Sequence, residues 1–138
     1  MRLLLDTCVI IDWLTDADPF ERNVWDILND PGTKLYVSAE TVRELIVSFN
    51  NKKLLSKYWK TAEEMLVAMK EEAMVDILPI SERTMFTYSR LTLNEAQDHR
   101  DPSDHVIIAH AITEHLTLLS SDQKFAFYRS QGLNLIEY

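Results

Sequence analysis

Apolar residues fall into two alternating rhythms along this chain. Short, mostly apolar runs occur at residues 2–5 (RLLL), 34–38 (KLYVS), 75–80 (VDILPI), 116–120 (LTLLS) and 133–136 (LNLI). Each has the length of a strand buried on both faces. Between them the apolar positions recur at helical spacing. TCVIIDWL predicts a helix directly after the first strand, and FERNVWDILND carries Phe20, Val24, Ile27 and Leu28 on one face before stopping at Pro31-Gly32. Ser38 stands as N-cap to AETVRELIVSF, and residues 54–74 predict one longer helix with Trp59, Ala62, Met65, Leu66, Met69 and Ala73 inward. SERTMFTYSRL opens on a serine N-cap with a glutamate in its first turn, predicting a helix into the mid 90s. Pro102 disfavours helical geometry at Asp101, so the next helix is expected to begin at Ser103 or Asp104, and Asp122 opens a last one through Tyr128. Strands alternating with helices predict an α/β fold. The expectation is a single domain over residues 1–138, with a central, mostly parallel sheet of about five short strands and helices on both faces.

Composition narrows this picture. The 138 residues include no repeats, low-complexity tracts or linkers, and 46% are hydrophobic, enough to build a core without metal or disulfide. Cys8 is the sole cysteine, which excludes an intramolecular disulfide and agrees with a reducing, cytoplasmic setting. Asp6 and Asp12 interrupt the apolar opening, so a secretory segment is not expected, and no run reaches the roughly 20 apolar residues of a membrane span. The formal charge is −8, from 14 basic and 22 acidic residues. That balance argues against a protein that grips nucleic acid by neutralising phosphates with clustered Lys and Arg. The objection weakens if several acids gather in one place and are neutralised there by cations.

The acids do have a reason to gather. In an open α/β sheet, ligands sit beyond the carboxyl ends of the strands. Asp6 ends the first strand and Asp122 follows the fourth, so both belong at that edge. Helices run back antiparallel to the strands and present their N-termini there. Asp104 stands at one such N-terminus, Asp101 beside it, and Glu44 lies six residues into another helix, about 9 Å along its axis. Two carboxylates roughly 6 Å apart repel by about 3 kcal/mol at an effective dielectric near 20, so a cluster of four should bind protons or a cation. Oxygen-only sites favour Mg²⁺ or Mn²⁺, which polarise phosphodiesters and activate water. Singly, each acid has a plainer reading. Asp104 and Asp122 suit helix starts, Glu44 suits a solvated face, and Asp12 and Asp98 suit the surface. Asp6, closing an apolar strand, is poorly placed for solvent.

LLLDTCVIIDWL, SAETVREL, HRDPSDHVIIAHA and LLSSDQKF resemble, in order and spacing, the motifs of PIN-domain nucleases, most closely the VapC-like toxins of bacterial toxin–antitoxin pairs. The likeness runs from residue 3 to the final strand. It implies that Asp6, Glu44, Asp104 and Asp122 are the catalytic, metal-holding acids, that Asp101 is an additional acid at the metal, and that Thr7 and Ser120 are supporting hydroxyls. It further implies an endoribonuclease using Mg²⁺ or Mn²⁺ on single-stranded or looped RNA, often tRNA. A homodimer silenced by a cognate antitoxin belongs to the same expectation, and charge complementarity predicts an antitoxin Arg or Lys reaching into the acids.

The chain departs from the family at Cys8, where relatives often carry Asn or Ser; a soft ligand suits Mg²⁺ badly, so Cys8 reads as packing. Ser103 and His105 stand where close relatives have Phe and Arg. His105 is a possible partial substitute for that Arg, with a surface or internally satisfied histidine as its plainer reading. Cations available to RNA are Arg43, Lys52, Lys53, Lys57 and Arg100, although each taken singly reads first as part of a solvated helix face. Trp13, Trp25, Trp59, Met65 and Met69 read as core or dimer surface rather than base-stacking platforms. An aspartyl phosphatase needs a second acid two residues after Asp6, where Cys8 stands, and the order of acids does not suit a phospho-acceptor receiver domain. The remaining rival is a catalytically weak PIN-like scaffold that binds RNA or a partner without cutting.

Overall fold

The computed structural model describes residues 1–52 and 55–138, with the side chain of Lys52 also outside the description. Five strands, β1 (Arg2–Leu5), β2 (Lys34–Ser38), β3 (Val75–Leu78), β4 (Thr117–Ser120) and β5 (Asn134–Glu137), form one sheet in the order β3-β2-β1-β4-β5. Every neighbouring pair is parallel. The sheet is therefore wholly rather than mostly parallel, because each connection crosses back through a helical segment.

Burial of both faces explains the apolar runs. Leu3, Leu5, Leu35, Val37, Val75 and Leu119 point to one face, while Leu4, Leu118 and Leu135 point to the other. The first face is covered by α1 (Thr7–Thr15), α2 (Arg22–Leu28), α3 (Ala39–Lys52) and α4 (Ala62–Glu71), through Val9, Val24, Leu45 and Met65 among others. The second is covered by α6 (Pro102–Thr113) and a 3₁₀ segment, Gln123–Gln131, through Ile107, Ile108, Phe125 and Tyr128. α5 (Glu82–Arg90) packs on α6. Trp13 and Trp25 sit edge-on around Phe20 and pack against the first core, as does Trp59.

The helix expected over 54–74 is not continuous. A 3₁₀ turn covers Leu55–Lys57, and α4 begins only after Thr61, whose hydroxyl accepts from Glu64 N–H at 3.1 Å. Met65 and Met69 are buried and Trp59, Ala62, Leu66 and Ala73 pack beside them, so the inward face is as read although the helix is shorter; the start of that expectation, residues 53–54, lies outside the described residues. α5 ends at Arg90, not in the mid 90s, because Leu91 is extended (φ −65°, ψ 135°) and Asn94 caps a separate 3₁₀ turn, Glu95–Gln97. α6 begins at Pro102, ahead of the expected Ser103 or Asp104. Proline is well suited to the first helical position, and Asp101 caps it by accepting from Ser103 N–H at 2.9 Å. After Asp122 the chain forms 3₁₀ rather than α-helical turns, running on to Gln131. β3 ends at Leu78, short of Ile80.

Two features of this fold position the site. Sheet order reverses direction between β1 and β4, so the crevice at their carboxyl ends is the switch point where open α/β sheets bind ligands. α6 is buried almost all round, from Ser103 to Thr113, so its first turn is held rigidly at that crevice. Among the described residues no helix is long and apolar enough to cross a membrane.

Leu4 is fully buried at the centre of the sheet. Leu4→Ala is expected to destabilise the fold by about 3 kcal/mol, lowering the melting temperature by roughly 10 °C. A thermal denaturation scan that moves by less than about 2 °C would contradict the placement of β1.

Candidate active site

Asp6 closes β1 and caps α1, being 4% exposed. Its backbone N–H continues the ladder to Leu119 O at 3.1 Å, which carries the residue to the crevice between β1 and β4. One carboxylate oxygen accepts from Thr7 N–H at 2.8 Å; the other accepts from the Ser120 hydroxyl at 2.7 Å and the Cys8 thiol at 3.3 Å. Burial raises its pKa despite these three donors, and the Asp122 carboxylate adds to the rise.

Hydroxyls join the acids to one another. Thr7 Oγ1 donates to Glu44 Oε1 at 2.6 Å, tying the start of α1 to the middle of α3. Ser120 Oγ, besides donating to Asp6, accepts from Asp122 N–H at 3.0 Å. Asp122 caps the 3₁₀ segment by accepting from Lys124 N–H at 2.9 Å. Glu44 is half-buried, and its pKa is raised first by burial and then by the Asp101, Asp6 and Glu40 charges. It is therefore not part of a solvated face.

Asp104, in the first turn of α6, is strongly perturbed as well. Its pKa rises from 3.8 to about 8, through burial first and then the charges of Asp6, Asp101, Asp122 and Glu44. Three carboxylates from distant segments, Asp6, Glu44 and Asp122, thus act on Asp104 together with its helix neighbour Asp101. Asp104, Asp122 and His99 each present a ligand atom within 4.8 Å of the other two.

His99 was not singled out by the sequence. It is 2% exposed and its Nε2 lies 2.9 Å from Asp104 Oδ2. The available signal was its place five residues ahead of Asp104 in the acid-rich stretch. Glu40 was also missed: it accepts from Ser103 Oγ at 2.8 Å and pairs with Arg43, which holds its carboxyl below the usual range. Ser103 is buried in that contact, also accepting from Arg43 at 2.8 Å. Arg43 is thus committed to Glu40 and Ser103, and Arg100 pairs with Asp98, both largely exposed. Lys57 is exposed, Lys53 and the side chain of Lys52 lie outside the described residues. His105 does not replace an arginine at the surface. It is buried, with Nε2 2.9 Å from the His99 carbonyl oxygen, and so is internally satisfied. Asp12 is not a free surface acid, since it accepts from the Tyr138 hydroxyl at 3.1 Å.

The donors present suit a hard cation. Apart from the His99 ring nitrogen they are carboxylate oxygens, whereas the one thiol nearby is pushed up to about 11, by burial and then by Asp6, and keeps its proton. A groove of about 290 Å³, lined by Thr7, Ile11, Arg43, Glu44, Val47 and Asn51 among others, opens beside Glu44.

The chain belongs to the PIN domain family, which it matches over residues 3–130. Among solved structures, VapBC2 from Rickettsia felis, bound to a DNA fragment from its promoter, aligns with a TM-score of 0.74 at 19% identity, covering 99% of this chain and 98% of that one. VapBC-1 from nontypeable Haemophilus influenzae gives 0.75 at 21%, with the same two coverages. FitAcB from Neisseria gonorrhoeae gives 0.67 at 26%, covering 98% and 96%. The first two likenesses establish the fold. No curated protein sequence matches the chain.

The raised carboxyls have a thermodynamic consequence. An acid whose folded pKa lies above its unfolded value holds its proton more tightly in the native state, so stability is present at low pH and is lost as pH rises from about 4 through 8. In metal-free buffer the melting temperature is expected to fall by at least about 5 °C between pH 5 and pH 8, and Asp104→Asn to remove much of that fall. The same slope in wild type and variant would contradict the crowding of charge at Asp104.

Proposed function

We propose that this protein is a divalent-metal-dependent endoribonuclease, the toxin of a toxin–antitoxin pair. The observation that carries the reading is Asp104: a carboxyl raised to about 8 by burial and four neighbouring carboxylates is costly to ionise unless a cation offsets the repulsion. Asp6, Glu44, Asp104 and Asp122 would hold Mg²⁺ or Mn²⁺, with Asp101 beside them. When bound, such an ion polarises a phosphodiester and lowers the pKa of water.

The protein's own groups do the positioning. Ser120 and Thr7 N–H fix Asp6, and Thr7 Oγ1 fixes Glu44, so neither carboxylate needs to reorganise when charge develops nearby. RNA enters by the groove beside Glu44, with Arg43 on its wall. Membership of the PIN family and a fold shared with toxin–antitoxin complexes support the toxin reading. The same reading includes a homodimer and an antitoxin whose Arg or Lys enters the acid cluster, where desolvation strengthens charge pairing.

Cleavage of a pool of structured RNAs in Mg²⁺ or Mn²⁺ tests this. Asp6→Asn preserves the helix cap and removes one charge, and is expected to lower the cleavage rate by about 100-fold or more. Equal cleavage by wild type and variant would sink the assignment of Asp6. No cleavage by a folded wild type under either metal would favour a scaffold that binds without cutting.

A further inference from the structure

We propose that His99 is a positioning residue: its Nε2–H donates to Asp104 and fixes that carboxylate at the acid cluster, and Tyr128 selects the tautomer that allows it. The functional consequence rests on the reading of Asp104 as a metal-holding acid; the tautomer rests on hydrogen-bond geometry alone.

Three bonds form a line. Asn94 N–H donates to the Tyr128 hydroxyl at 3.1 Å, that hydroxyl lies 3.0 Å from His99 Nδ1, and His99 Nε2 lies 2.9 Å from Asp104 Oδ2. A tyrosine has one proton to give. If the imidazole proton sat on Nδ1, the phenol oxygen would accept from both Asn94 and His99. Its own proton would then have no acceptor among the described residues, inside a side chain that is fully buried. Stranding a buried donor costs about 1–3 kcal/mol. With the proton on Nε2 every group is used: Asn94 to Tyr128, Tyr128 to Nδ1, and Nε2–H to Asp104. A doubly protonated ring strands the phenol proton in the same way.

The same count separates holding a carboxylate from binding an ion. The Asp104 and Asp122 oxygens and a ring nitrogen of His99 are close enough together for a cation to bridge. To ligate, Nε2 would have to offer its lone pair, which returns the proton to Nδ1 and strands Tyr128. His99 therefore orients Asp104 rather than joining it as a ligand. The ring has little freedom to do otherwise, with Phe125 at 5.5 Å and His105 at 4.8 Å between centroids, and its own carbonyl held by His105 Nε2. The second oxygen of Asp104 has no protein partner among the described residues. Groups that orient metal-holding side chains in this way typically contribute about 10–100-fold to affinity.

Two measurements on the full chain test this. In nitrogen-15 NMR at neutral pH, His99 should carry its proton on Nε2 in the wild type, and Tyr128→Phe should weaken that preference. A wild-type ring protonated on Nδ1, or on both nitrogens, overturns the proposal. In Mn²⁺ titration followed by calorimetry, His99→Phe should weaken binding by about tenfold or more, whereas His99→Gln, whose amide can still donate to Asp104, should stay within about threefold of wild type. Wild-type affinity in His99→Phe overturns the positioning role even if the tautomer is as expected. A wild type that binds no Mn²⁺ instead removes the metal reading, and the Asn94–Tyr128–His99–Asp104 line then stands or falls on the tautomer.

Discussion

Like charge held at short range is the constraint on which the rest of this structure depends. Asp6, Glu44, Asp122 and the Asp101–Asp104 pair at the start of α6 come from four separate segments of the chain, yet the field of the other four acids is felt by Asp104. No local preference brings them together. What does so is a parallel sheet whose order reverses at β1 and β4, two adjacent strands that each deliver an aspartate to the same crevice. α6, packed on nearly every side, delivers another. The repulsion is opposed by the burial of Leu3, Leu4, Leu5, Ile107, Ile108, Leu118 and Leu119 directly behind it. An apolar core of this kind cannot relax one carboxylate away from the others without opening a cavity.

The same arrangement reconciles a net charge of −8 with the RNA substrate proposed for this chain. On the proposed reading, acids concentrated at one crevice would be neutralised there by a cation, leaving the rest of the surface less negative than the total charge suggests. The arginines nearest to them do not form an open basic patch. Arg43 is paired with Glu40 and Ser103, and Arg100 with Asp98. On that reading, grip on a phosphate chain depends on a bound ion more than on surface cations.

Much of this was legible in the sequence, for identifiable reasons. Strands buried on both faces leave uninterrupted apolar runs, and all five stand where those runs are. The four acids were placed at one edge by a general property of α/β sheets, and the hydroxyls of Thr7 and Ser120 do bond to Glu44 and Asp6. Errors arose where periodicity outlasts the helix. Trp59, Ala62, Met65 and Met69 all face the core, so the pattern runs unbroken across the non-helical residues before α4. Only the Thr61-Ala-Glu-Glu64 capping signature marks the true start of α4. The start of α6 was misplaced by weighing the restriction that proline puts on its predecessor and overlooking that an aspartate N-cap satisfies it. His99 was out of reach for a different reason. Its partners Asn94 and Tyr128 lie 34 residues apart and meet only in the folded chain, and no spacing along the sequence announces them.

Crystals grown with Mn²⁺ and measured at a wavelength where manganese scatters anomalously would bear most directly on the acid cluster. If these carboxylates hold an ion, an anomalous peak would appear in the crevice where Asp6, Glu44, Asp104 and Asp122 meet. Saturating Mn²⁺ that leaves the crevice without a peak, while the five acids keep their positions, would contradict the claim that a divalent cation is what the cluster exists to hold.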